Sequence, residues 1–419
     1  MKTKTLLTRI SAAALFAAAA MLPAALTSCS SEAEPAPVKE DPIPEGMARI
    51  NLSFAAPTME AGTRGDENAV SAEEGALKSL WVYFFKQGSG TSELKYAFSI
   101  PVSGTSDGSD NVFSTGATLK KIEKVTTSAT DIITGMNVEP ATYHIYVLAN
   151  LADKCSDLDP TNYESIKESD VTGATYTTTD GTFALASGLP MAADKTDLTN
   201  VTNATYSTSD GNLEVSSGSV SLTANMTILC SKVRYTLFFD CTDSNAISWP
   251  YQSFSLTSTN LNNPNTADGV FTTPEKTAYT TAVSLSPSRY NYPTGDLDDT
   301  WFSNSDSSYQ ADLTGDGGTS TKQYAYQGYV YLNEDPSLAE TDKTKIKFNA
   351  TLGVAGTTGS TENRTFTVVL PNKATTNADA NKLCKGTYYD VVGKITGAGF
   401  DVKVAIIDWA KAPTDTFEF

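Results

Sequence analysis

The chain has 419 residues, with 48 Asp and Glu against 30 Lys and Arg, one histidine, and a formal net charge of −18. An acidic balance of this size repels nucleic acid and anionic lipid headgroups, so neither is expected as a partner. The length is enough for two ordinary domains with full cores, and the five cysteines follow no zinc or CxxC spacing, so no metal or redox cofactor is expected.

The amino terminus opens with Lys2, Lys4 and Arg9, runs through LFAAAAMLPAAL, and reaches LTSC at Leu26 to Cys29. The apolar run is short and interrupted by Pro23, which fits a secretory signal better than a membrane-spanning helix. A leucine three residues before a cysteine, with Thr27 and Ser28 between, is the pattern of a bacterial lipoprotein signal. Residues 1–28 then form the signal peptide and Cys29 the acylated first residue. Several acyl chains, at about 0.8 kcal/mol per buried CH₂, hold such a chain to a bilayer. Residues 29–46 are rich in Pro and Glu without apolar periodicity and read as a tether.

From Met47 onward, period-two alternation of β-branched and aromatic residues recurs between Ser/Thr/Asp/Gly clusters. The first instance, ARINLSF, puts Ile50, Leu52 and Phe54 on one face. It is followed by GTRGDE at 62–67. Arg64-Gly65-Asp66 matches an adhesion tripeptide, but three residues are weak support for that reading. An arginine flanked by small residues after a strand is also well placed for proteolysis between Arg64 and Gly65, and an ordinary loop arginine is the third reading. Residues 47–64 hold this first strand and the arginine that follows it.

Further strands are expected at LWVYFF (80–85), TYHIYVLAN (142–150), KVRYTLFF (232–239), KIKFNATLGV (345–354), RTFTVVL (364–370) and FDVKVAII (400–407). Helical periodicity is brief, at SAEEGALKSL (71–80) and IEKVTTSATDII (122–133). The pattern predicts an all-β protein of sandwich type with few short helices. A break in the polar stretch between Asp194 and Val220 divides it into an N-terminal domain at 65–219 and a C-terminal domain at 220–408. A local duplication, VTGATYTTTDG (171–181) and VTNATYSTSDG (201–211), reads as two similar hairpin turns.

Catalytic signatures are absent, and no catalytic residues are expected. His144 sits in a strand on the face opposite Tyr143, Ile145 and Val147, a structural position, with no HExxH, GxSxG or nucleotide-binding pattern beside it. Asp296, Asp298, Asp299, Asp312 and Asp316 have the residue type of glycosidase carboxylates or calcium ligands. They lack EF-hand spacing and read as solvated loops. Spacing leaves both disulfides and buried thiols open for Cys155, Cys230, Cys241 and Cys384. At 409–419, after Asp408-Trp409 and the breaker Pro413, Phe417 and Phe419 share one face of a short terminal strand.

Taken together, these segments resemble the fimbrillin family, the pilin subunits of Bacteroidales type V pili. The residues that carry the resemblance are Cys29, the strand Ile50 to Phe54 closed by Thr63-Arg64, YHIYVLANL ending after Asn150, GLPMAADK (188–195), MTILCSKVRYTLFF (226–239) and VAIIDWAKAPTDTFEF. The TILCSKV segment departs from relatives that often carry an arginine there. The resemblance implies two transthyretin-like β-sandwich domains in tandem, a lipoprotein precursor on the outer membrane, and cutting after Arg64 by an arginine-specific protease. It also implies assembly with other copies and related pilin subunits into a cell-surface fimbrium by donor-strand exchange. The terminal segment with Trp409, Phe417 and Phe419 would be the donor, and a host or bacterial surface ligand the adhesion target. The rival from another class is a surface glycan-binding lipoprotein of a polysaccharide-uptake system, with Trp249, Trp301 and the tyrosines of 324–331 as aromatic platforms.

Overall fold

A computed structural model describes residues 42–55, 74–101, 111–114, 132–162, 164–240, 251–289, 323–354, 359–370, 382–396 and 399–408. In chain order the strands of the first half are β1 Ala48–Ala55, β2 Ser79–Gln87, β3 Ser92–Pro101, β4 Asn111–Ser114, β5 Ile132–Val138, β6 Ala141–Ala149, β7 Thr175–Thr177 and β8 Thr182–Phe183. They continue with β9 Met191–Ala193, β10 Leu198–Thr202, β11 Ala204–Tyr206, β12 Leu213–Val215, β13 Gly218–Asn225 and β14 Thr227–Ile228. The second half has β15 Ser231–Asp240, β16 Tyr251–Asn262, β17 Ala267–Gly269, β18 Val283–Leu285, β19 Ser288–Arg289, β20 Gln323–Leu332, β21 Lys345–Val354, β22 Thr361–Val369, β23 Thr387–Thr396 and β24 Gly399–Asp408. The one α-helix among the described residues, α1, is Glu168–Thr172. The fold is thus mostly β, as the alternation predicts.

Two sheets contribute to a first core. One has the order β10-β13-β1-β5; the other runs β11-β12-β6-β2-β3-β4, with β9 on β6 and β14 on β9. Their shared cluster contains Ile50, Leu52, Val220 and Leu222 from the first sheet and Val82, Phe84, Phe98, Tyr143 and Ile145 from the second. Aromatic edges meet faces here: Phe84 lies 5.5 Å from Phe98 and 5.8 Å from Tyr143 in T-shaped contacts, geometry that suits the ring quadrupoles. All six residues of LWVYFF are buried, because β2 is covered on both faces. On its second face the Tyr83 hydroxyl donates to the Leu158 carbonyl of the segment after β6, and Phe85 meets Tyr146 of the neighbouring strand β6 at 5.9 Å. A strand covered on both faces loses its alternation, so its apolar run is continuous.

A second core lies between the sheet β19-β20-β15-β23-β24, with β8 added to β20, and the sheet β18-β16-β21-β22. Val233, Tyr235 and Leu237 alternate into it from β15, facing Ile346, Phe348 and Leu352 of β21. Gly328 is required on β20, because a Cβ there would come within 2.3 Å of the Tyr235 hydroxyl. The expected break between residues 219 and 220 falls inside β13. The first core continues through Val220, Leu222, Ala224, Met226, Ile228 and Cys230, and the second begins at Val233. Physical coupling of the halves comes from the two-stranded sheet β17-β7 and from the β8–β20 pairing.

One local expectation needs correction. The described part of SAEEGALKSL is a turn at 74–75 leading into β2, not a helix; burial of Leu80 to Phe85 on both faces overrides the short helical period. Conversely, α1 carries no apolar periodicity. It is a single turn in which the Asp170 carboxylate accepts from the Lys167 N–H at 2.8 Å while Val171 is buried. The duplicated segments do share a turn. Asp180 Oδ1 accepts from the Thr182 N–H and Asp210 Oδ1 from the Asn212 N–H, with Gly181 and Gly211 at positive φ. The two copies pair differently: β7 joins β17 of the second half, whereas β11 joins β12 within the first.

Candidate functional site

Ile50, Leu52 and Phe54 lie together on β1. β1 is an internal strand, parallel to β13 over its whole length from Ala48↔Gly218 to Ala55↔Asn225, and antiparallel to β5 from Ala48↔Val138 to Ser53↔Ile132. A register shift against β5 falls between Ile50 and Leu52. Ala48, Ile50 and Leu52 are fully buried and Phe54 is 4% exposed. Their burial follows from the sequence alternation, since successive side chains of a strand point to opposite faces.

The other face of β1 is polar and is also partnered. Asn51 Nδ2 donates to Ser219 Oγ at 2.9 Å, Ser53 Oγ lies 2.8 Å from Thr223 Oγ1 and 3.1 Å from the Leu222 carbonyl, and Arg49 Nε reaches Asn137 Oδ1 at 3.5 Å. Strand β1 therefore fills a slot whose walls are two strands, whose floor is a core, and whose rim is a row of hydroxyl and amide groups. Without β1, the facing edges of β13 and β5 would present unpaired N–H and C=O groups above an open apolar groove, the condition that invites a replacement strand.

Residues 56–73, which hold Arg64 and Gly65, lie outside the described residues, as do Cys29, Trp409, Phe417 and Phe419. The same is true of Cys241, Trp249, Trp301 and the acids from Asp296 to Asp316. Glu74, ahead of β2, is 2% exposed and held by the second half of the chain. Lys232 Nζ pairs with its Oε1 at 2.8 Å and the Tyr331 hydroxyl donates to the same oxygen at 2.5 Å. Beside it, Arg234 makes a two-pronged pair with Asp390, and Lys232 lies 5.2 Å and 5.3 Å from the ring centres of Tyr329 and Tyr388. Sequence reading missed Glu74, because a carboxylate in an acidic stretch carries no local sign that a lysine far along the chain will bury it.

The remaining candidates are placed as follows. His144 lies on the second face of β6, with Nδ1 2.5 Å from Glu168 Oε1 and Nε2 2.9 Å from Asn212 Oδ1. Tyr146 also donates to Glu168 Oε1, at 2.7 Å, and Lys195 Nζ lies 3.6 Å from that oxygen. Burial opposes ionisation of Glu168, but hydrogen bonds from Ser92, Tyr146 and His144 outweigh it and hold the carboxyl down to about 2. This cluster ties α1 to the sheet. Cys155 and Cys230 are free, buried thiols, and burial pushes Cys155 up to about 12, which makes it a poor nucleophile. Among the described residues there is no cluster of three or more His, Cys, Asp or Glu fit for a metal ion. Of the tyrosines offered as a platform, Tyr331 is buried and Tyr329 exposed.

Comparison with known proteins gives a family match at this slot. Residues 48–224 match the family model described as major fimbrial subunit protein (FimA), a span that opens on β1 and closes on β13. No curated protein matches the sequence significantly. Similar solved structures include a fimbrilin (FimA) from Porphyromonas gingivalis, with 9% identity, 88% of this chain and 99% of that one covered, and a TM-score of 0.47. The tip fimbrial protein Mfa3 of the same organism, with a C-terminal truncation, has 12% identity, 87% and 99% coverage and a TM-score of 0.40. Its fimbrial anchor protein Mfa2 has 11% identity, 87% and 98% coverage and a TM-score of 0.34.

Proposed function

We propose, from the premise that residues 48–224 form a module of the major fimbrial subunit family, that this chain is a structural subunit of a cell-surface fimbrium and acts in adhesion without catalysis. In this reading each half of the chain is a transthyretin-like sandwich, Cys29 is lipidated on the precursor, and an arginine-specific protease cuts between Arg64 and Gly65. The cut releases β1, and the vacated slot takes a strand from another subunit. The terminal segment carrying Trp409, Phe417 and Phe419 is the donor, supplied by a further copy of this chain or by a related pilin.

The observation that supports this reading best is the internal position of β1. An ordinary removable segment would lie at a sheet edge, where its loss leaves little exposed. Here Ile50, Leu52 and Phe54 are buried between β13 and β5. At about 1.5–3 kcal/mol for each buried side chain of this size, the three contribute about 5–9 kcal/mol, comparable to the net stability of a whole domain. A chain that loses them has a strong drive to refill the slot with alternating apolar side chains. Keeping β1 in place until export is complete keeps subunits apart.

The test is brief treatment of the precursor with an arginine-specific protease, followed by amino-terminal sequencing and an unheated gel. A new terminus at Gly65 and a heat-labile ladder, both lost in Arg64→Ala, are expected. The ladder alone should vanish in a chain ending at Trp409. Resistance at Arg64 in the folded precursor would sink the activation step. Retention of glycan by the intact chain, lost on Trp301→Ala, would favour the glycan-binding alternative.

A further inference from the structure

Near the junction of the two halves lies a triad, one buried carboxylate with a half-buried lysine and a half-buried second carboxylate, that the slot does not use. Asp268, on β17, is fully buried, and Lys385, two residues before β23, places Nζ 3.0 Å from its Oδ1. Glu334 brings Oε2 to 3.6 Å from the same nitrogen. Lys385 also donates to two main-chain carbonyls, Gly269 O at 2.5 Å and Thr272 O at 2.8 Å. Each oxygen of Asp268 accepts a main-chain N–H, Oδ1 from Gly269 and Oδ2 from Glu334, both at 2.8 Å.

We propose that Lys385 and Asp268 are a modification site, joined after folding by an intramolecular amide bond for which Glu334 carries the protons. The arrangement meets three requirements of the reaction. Nitrogen and carboxyl are held in contact by the fold, which replaces a bimolecular encounter with an intramolecular one. The two main-chain N–H groups on the carboxyl oxygens polarise its carbon and receive the charge that develops on oxygen during attack. Gly269 O and Thr272 O take two of the nitrogen's hydrogens, which leaves the third position, once deprotonated, as a lone pair toward Asp268. Burial pushes the Asp268 carboxyl up to about 6 against the pull of Lys385 and the Glu334 N–H, so the acid form that the reaction consumes is accessible near neutral pH.

Atoms balance without any further reactant. One proton passes from the Lys385 ammonium to the Glu334 carboxylate. The nitrogen lone pair attacks Cγ of protonated Asp268, and the tetrahedral centre collapses with cleavage of the C–O bond. The departing hydroxyl takes the proton held by Glu334 and leaves as water, and Glu334 accepts the second proton from nitrogen before releasing it to solvent. A C–N bond replaces a C–O bond, and neither oxidant nor reductant is needed.

The neighbouring pair Lys276–Asp335 shows why this site is singled out. Asp335 is also buried, but its Oδ2 accepts from Lys276 Nζ, from the Thr344 N–H and from the Thr344 hydroxyl at 2.7–2.8 Å, and its Oδ1 accepts from the Ser337 N–H. That carboxylate already accepts four hydrogen bonds, and Lys276 pairs with no second carboxylate among the described residues. A bond at Asp268 would have a mechanical use that rests on the fimbrial reading. Tension entering at the carboxy end through β24 and β23 would pass from Lys385 directly to β17 and so to β7 of the first half, bypassing β18 to β22.

The experiment is mass spectrometry of the unassembled full chain after denaturation and trypsin digestion, so it does not depend on polymerisation and can succeed or fail separately from the ladder assay. The expected result is a branched peptide joining the segments that contain Asp268 and Lys385, lighter by one water than their sum, with no tryptic cleavage after Lys385. Asp268→Asn should give the same branched peptide with loss of ammonia instead. Glu334→Gln, checked for native circular dichroism, should give separate linear peptides. Linear peptides of full mass from the wild-type chain would show an ion pair only and overturn the proposal; a branched peptide from Glu334→Gln would overturn the role of Glu334.

Discussion

Leu52→Ala isolates the energetic role of the first strand. Leu52 is fully buried and stands in register with Leu222 of β13 and Ile133 of β5. Truncation removes the transfer energy of the side chain and leaves a cavity that neighbours held in two ladders cannot readily collapse, so the expected cost is about 2–5 kcal/mol. With a urea slope of about 2–3 kcal/mol per molar, this lowers the midpoint of the precursor by about 1–2 M. On the proposed cycle, a chain cut after Arg64 and freed of β1 has already lost residue 52, so variant and wild type should then unfold at the same midpoint. Leu222→Ala, on the strand that stays, should destabilise both forms. Urea titrations of the four species followed by tryptophan fluorescence make the comparison. If Leu52→Ala costs the precursor less than about 0.5 kcal/mol, the slot does not hold β1 as argued; if the difference persists after cutting, β1 is not released.

The clamp on Glu74 predicts a strong loss on breaking one side of it. Lys232→Met leaves a buried carboxylate without its cation and should cost about 3–5 kcal/mol, whereas Glu74→Leu combined with Lys232→Met should recover much of that; thermal melts of the two variants give the comparison, and equal losses would refute a charge-based clamp. The Glu168 cluster predicts a pH dependence of definite sign. Its folded-state carboxyl, held at about 2 against an ordinary value of 4.5, contributes stability that is fully present above about pH 4.5 and is lost as pH falls toward 2. Urea midpoints across that window should fall less steeply in Glu168→Gln than in the wild type, and identical slopes would refute the assignment.

The sequence by itself determined the class of the fold and the inward residues of the first strand. Alternation is a local property of a strand with one buried face, so Ile50, Leu52 and Phe54, and likewise Val233, Tyr235 and Leu237, could be read without knowing their neighbours. Where both faces are buried, as in β2, the period disappears, and only apolar content and β-branched or aromatic enrichment identify the strand. The stretch where the two cores meet is a related case: β13 begins among polar residues, and nothing local says that its alternate residues enter the first core rather than the second. Tertiary structure alone decided what surrounds each strand. That β1 lies parallel to β13 and antiparallel to β5, and is therefore internal, depends on pairings between residues far apart in the chain. Burial of Glu74 on Lys232 and of Asp268 on Lys385 has the same origin. A charged residue reads as solvated in sequence because water is its default partner, and only the packed fold supplies the opposite charge and the hydrogen bonds that make its burial possible.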